Sequence, residues 1–87
     1  MVRLADYVIQ RIVDEGVKHI FLITGRGILY LSDAVAKNEE IQPISVHHEQ
    51  ASAYAAVAYS QYDKLGAALV STGCASTNAV TGVLNAW

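Results

Sequence analysis

Three short apolar runs constrain this chain more than any other feature. They are residues 17–23 (VKHIFLI), 44–46 (ISV) and 67–71 (AALVS). Each opens into a turn of small or polar residues and then into a helix-forming segment. The turns are 24–27 (TGRG), 47–49 (HHE) and 72–77 (TGCAST). Such alternation predicts an α/β fold with three layers, a parallel sheet carrying helices on its faces. Right-handed crossovers then bring all three turns to one edge of the sheet, with the strands in the order 2-1-3. In an open parallel sheet that edge is where ligands bind.

The intervening segments fit this reading. Leu4, Tyr7, Val8, Arg11, Ile12 and Glu15 mark a mostly apolar stripe at helical spacing. Gly16 stops that helix, because glycine accepts the left-handed conformation at a helix end. A second helix is expected over 28–37, with Leu31, Val35 and Leu29 turned inward, and Asn38-Glu39-Glu40 ends it. Pro43 falls where an edge strand can begin. A third helix is expected over 49–62. A fourth is expected to start near Ser76 or Thr77 and to be still running at Trp87. It meets no glycine cap, basic last turn or proline. The chain thus reads as one domain over 1–87, incomplete at its C-terminal end.

Composition narrows the classes. Eighty-seven residues with 53% hydrophobic and only 16% charged side chains are too apolar for a disordered arm. So much apolar content in a short chain points to a covering partner or to a piece of something larger. A net charge of −2 leaves no basic footprint for nucleic acid. No apolar run approaches the roughly 18 residues needed to span a bilayer. Arg3, Asp6, Gln10 and Arg11 interrupt any signal-peptide pattern, which makes a cytoplasmic location the default. Cys74 is the single cysteine, so neither an internal disulfide nor a multi-cysteine zinc site can form.

Several positions carry a chemical reading beside a plainer one. Glu49 lies between a strand and a helix, where a carboxylate can act on a ligand; acids also favour a first helical turn for its dipole. Gly25-Arg26-Gly27 follows a strand as a dinucleotide turn would, but the third glycine of that fingerprint falls on Tyr30. A tight turn explains the same residues. His47-His48-Glu49 lacks the second histidine of a metalloprotease helix, since position 52 is serine. Cys74 has no basic neighbour in sequence to lower its thiol pKa and reads equally as a packing residue. Asn78 can cap the last helix. These residues leave two further readings open: a stand-alone α/β interaction module, in which Glu49 is a helix-end acid, and a small Rossmann-like nucleotide-binding protein.

Taken together, the pieces resemble the N-terminal, pyrimidine-binding domain of thiamine diphosphate-dependent enzymes of the acetolactate synthase-like group. The residues that carry the resemblance are Ile20-Phe21-Leu22-Ile23-Thr24-Gly25, His48-Glu49-Gln50-Ala51, Thr72-Gly73 and Thr77-Asn78-Ala79-Val80-Thr81-Gly82. They follow the family's order and spacing over nearly the whole chain. The resemblance implies that the Glu49 carboxyl hydrogen-bonds pyrimidine N1′ and thereby promotes removal of the thiazolium C2 proton. It implies that Ile23, Thr24 and Gly25 lie beside the pyrimidine, with Cys74 and Asn78 on a second wall. The substrate class it implies is a 2-oxo acid or a related carbonyl donor. It also implies that a separate C-terminal domain holds the diphosphate and its Mg2+, and that a second subunit of a homodimer or homotetramer completes the site. These 87 residues would then supply only the activating half and would be inactive alone. No residue here speaks for or against FAD. Two departures from the family pattern bear on the pocket: Gly73-Cys74-Ala75 stands where Gly-Pro-Gly is frequent, and Arg26 stands in place of a glycine.

Overall fold

A computed structural model describes residues 3–63 and 65–87. The elements run α1 (Leu4–Asp14), β1 (His19–Leu22), α2 (Leu29–Lys37), β2 (Gln42–Ser45), α3 (Glu49–Asp63), β3 (Ala67–Leu69), α4 (Cys74–Asn78) and α5 (Val80–Ala86). A short 3-10 turn at Arg26–Ile28 leads into α2. The three strands are parallel and lie in the order β2-β1-β3. The expected fold class and strand order are therefore those observed. Pro43 sits opposite Ile20 on an edge strand; the N–H groups of Gln42 and Val46 donate to β1, so the Pro43 nitrogen lies on the open side and no ladder bond is lost.

The period of two along β1 divides the molecule into layers. Ile20 and Leu22 are buried on one face, in a cluster with Ile9 of α1, Ala34 and Val35 of α2, and Val17 and Ile41 just before β1 and β2. Phe21 and His19 face the other layer, where both rings meet Tyr59 of α3 edge-on at 5.9 and 5.4 Å between centroids. The helices sort accordingly: α1 packs on α2, and α3 packs on α5. No helix among the described residues is long and apolar enough to cross a membrane.

Local chemistry sets the ends of the elements. Gly16 takes φ +98°, and its N–H bonds the Val13 carbonyl at 2.9 Å, closing α1. After α2, the Asn38 side-chain oxygen accepts the Glu40 N–H at 2.8 Å and turns the chain towards β2. His48 caps α3: its Nδ1 accepts the Gln50 N–H at 3.1 Å, which places the ring proton on Nε2.

One expectation is refined and two are corrected. Of the apolar stripe on α1, Ile12 packs on the core beside Ala5 and Val13, while Leu4, Tyr7 and Val8 are exposed and Ile9, outside the stripe, is buried. Arg3 sets that rotation by donating to Asp6 at 3.0 Å and to Asp33 of α2 at 2.9 Å. Leu29 is exposed rather than inward, because the 3-10 turn buries Ile28 first. The last helix begins at Cys74 and is broken at Ala79 into two short pieces.

Candidate functional site

All three turns that follow strands lie at the C-terminal edge of the sheet, and two contacts knit them together. The first joins the ends of α3 and α4. Asn78 Nδ2 donates to Glu49 Oε1 at 2.9 Å, linking the acid after β2 to the segment after β3. The second joins the turns after β1 and β3. A Cβ on Gly25 would lie 2.8 Å from the Ser71 side chain, and one on Gly27 would lie 2.7 Å from Thr72. Both approaches are closer than a side chain permits, so the glycines let the 24–27 turn lie directly on 71–72.

Glu49 is the first residue of α3 and is half-buried. Its carboxyl is held below the usual carboxylate range. The Asn78 hydrogen bond is the largest cause and the Glu49 main-chain N–H the next. Desolvation acts in the opposite direction and loses.

The other expected residues share this edge without all touching. Ile23 is half-buried and continues the sheet, its N–H donating to the Leu69 carbonyl at 3.3 Å. Thr24 is exposed, and Gly25 is packed on Ser71. Cys74 is an exposed free thiol at the start of α4. Among the described hydrogen bonds, only Glu49 and Asn78 of this set are joined side chain to side chain. His47 and His48 form no metal centre, and the described residues contain no group of three or more His, Cys, Asp or Glu placed to hold an ion.

Two residues make contacts that the sequence reading assigned to neither of them. Ser52 is fully buried and donates to the Phe21 carbonyl at 2.8 Å, tying the first turn of α3 to β1. Its signal was a polar residue one helical turn after Glu49 in an alanine-rich run. Gly82 is buried where α5 crosses α3 at Ala53. Nothing in its local sequence separates it from an ordinary helix glycine.

A family model, thiamine pyrophosphate enzyme, N-terminal TPP binding domain, matches residues 2–87. The chain is 39% identical over 84 residues to an acetolactate synthase large subunit of Haemophilus influenzae. It is 38% identical over 84 residues to those of Buchnera aphidicola and Lactococcus lactis. Each alignment covers 95% of this chain and 15% of the relative. The chain therefore spans about 15% of the length of the curated relatives it matches.

Proposed function

This chain belongs to the thiamine pyrophosphate enzymes, in their N-terminal cofactor-binding domain, and on that premise we propose that Glu49 is its cofactor-activating acid. The parent activity in this reading is acetolactate synthase-like: carboligation or decarboxylation of 2-oxo acids or related carbonyl donors. The observation that carries the reading is the Glu49 carboxylate. It stands at the ligand-binding edge of the sheet and is bridged to Asn78 from the neighbouring turn. With the family shown, the dinucleotide reading of Gly25-Arg26-Gly27 falls away.

The residues present fit the pyrimidine of thiamine diphosphate, the same compound as thiamine pyrophosphate. A ring nitrogen needs a proton-sharing partner, and Glu49 is a carboxyl at the edge where the turns meet. Ile23 gives that edge a half-buried apolar surface, and Thr24 and Gly25 continue it. Cys74 and Asn78 form the facing wall. When bound, the cofactor supplies a carbon nucleophile at thiazolium C2 that attacks a carbonyl group. Glu49 holds a proton shared with N1′. Its pKa is lowered here by the Asn78 hydrogen bond, whereas exclusion of water around it favours the protonated form. Asn78 opposes that shift through its hydrogen bond and keeps the acid from becoming a fixed neutral group.

The reading assigns the diphosphate and its Mg2+ to a C-terminal domain outside the matched residues, and the completed site to a second subunit of a homodimer or homotetramer. The relatives' greater length supports the first assignment. A cytoplasmic location goes with the same reading.

The test is C2 hydrogen–deuterium exchange of the cofactor bound to the full-length holoenzyme. Glu49→Gln should slow exchange by roughly 100-fold or more, the range expected for losing a proton-transfer group. Cofactor affinity should change far less, because the amide still hydrogen-bonds. Equal exchange rates would return Glu49 to the role of a helix-end acid.

A further inference from the structure

Two contacts hold α3 beside the α4–α5 segment, one helical turn apart. The outer contact is the Asn78–Glu49 hydrogen bond at 2.9 Å. The inner one is Gly82 against Ala53, and both of these residues are buried. On α3, Ala53 lies four positions after Glu49, on the same face about 6 Å further along, and on the facing segment Gly82 lies four positions after Asn78 across the junction at Ala79, whose backbone stays in the αR region. At the inner contact there is no room for another methyl group: a Cβ on Gly82 would lie 2.2 Å from the Ala53 Cβ. Nor can α3 retreat freely, since the buried Ser52 ties it to the Phe21 carbonyl. The freedom to adjust therefore lies with α5 and, through the junction at Ala79, with Asn78 at the end of α4.

We propose that Gly82 is a positioning residue for Glu49. Its bare backbone lets α5 approach α3 closely enough for Asn78 to reach the carboxylate. Any side chain at 82 pushes α5 outward and pulls Asn78 off the acid. The catalytic meaning of this spacing rests on the role proposed for Glu49, but the spacing itself can be measured without it.

The measurement is the titration of Glu49 in the full chain, followed by NMR of δ-13C-labelled glutamate. Asn78→Ala defines the midpoint of an acid that has lost its partner. Gly82→Ala should move Glu49 up to that midpoint. The swap Ala53→Gly with Gly82→Ala should bring it back. With the Ala53 methyl removed, the nearest remaining atoms to a Cβ at 82 are the Ala53 carbonyl carbon at 3.1 Å and Cα at 3.2 Å. A shift of a few tenths of an ångström relieves these. A folded Gly82→Ala that keeps the wild-type midpoint overturns the proposal. Should that variant fail to fold, the swap decides: it is expected to fold with the wild-type midpoint, and a folded swap titrating like Asn78→Ala overturns it. In the full-length holoenzyme, C2 exchange should fall in Gly82→Ala and recover in the swap. Unchanged exchange in Glu49→Gln would remove the acid's catalytic role, while the midpoints would still decide the spacer.

Discussion

Glu49 shows how a tertiary contact resolves a conflict of local forces. Burial favours its neutral form, while the helix start and the Asn78 amide favour the anion, and the amide is the largest influence. Because the folded-state pKa is depressed, the bond stabilises the fold above the ordinary glutamate value of 4.5. That stabilisation is lost as pH falls through the lower folded value. Asn78→Ala should therefore lower the thermal midpoint at pH 7, and the difference from wild type should shrink as pH drops well below 4.5. Thermal unfolding at the two pH values checks this. A difference that persists undiminished in acid would assign the Asn78 contribution to packing instead. Glu49 and Asn78 were both picked out in the sequence. That they touch was not, because they are 29 positions apart and belong to turns after different strands.

At the scale of elements, α1 shows the limit of helical periodicity. Its apolar residues admit two faces, one centred on Tyr7 and Val8 and one on Ile9, and the pattern alone does not choose. The choice is made by the neighbour. Arg3 bridges Asp6 to Asp33 of α2, Lys37 joins Asp33 at 3.2 Å, and the Arg3 guanidinium lies 5.8 Å from the centre of the Tyr30 ring. Asp6 and Asp33 are both held below the ordinary aspartate range, chiefly by hydrogen bonds from Arg3. With α1 locked in this rotation, Ile9 is 1% exposed and Leu4 is 78% exposed. Ile9→Ala should cost about 2–5 kcal/mol in denaturant unfolding, the range for removing a buried aliphatic side chain. Leu4→Ala should cost far less. Similar losses at both positions would mean that α1 sits in the other rotation. The far layer has a comparable anchor, where the His19 Nδ1–H donates to the Tyr59 oxygen at 2.9 Å and the Tyr59 hydroxyl donates to Asp63 at 3.0 Å.

Over the whole molecule, apolar side chains lie on two outer surfaces. Val80, Val83, Leu84 and Trp87 are exposed on and after α5, and Leu4, Tyr7, Leu29 and Tyr30 are exposed across α1 and α2. Surface of this kind drives association when it is left in water. The 9.4 kDa chain on its own should therefore sediment as a self-associated species at micromolar concentration. Leu84→Glu, at a position 69% exposed, should shift it towards monomer without loss of helix content. A wild-type chain that stays monomeric at high concentration would show that these side chains are tolerated singly.

The sequence by itself determined the class of fold, the strand order and the edge at which the three turns gather. These follow from short-range facts: where apolar runs end, which turns contain glycine, and the handedness that L-residues impose on crossovers. It also supplied Glu49, because an acid between a strand and a helix is visible in one dimension. The tertiary structure decided the rest. It chose the buried face of α1, since ion pairs to α2 are invisible in the periodicity of α1 alone. It lowered the pKa of Glu49, since the main donor comes from another turn. It revealed Ser52 and Gly82, whose importance lies in a carbonyl and a methyl group on distant segments. Periodicity and turn chemistry act within a few residues of chain, whereas approach distance and rotation exist only once separate elements share space.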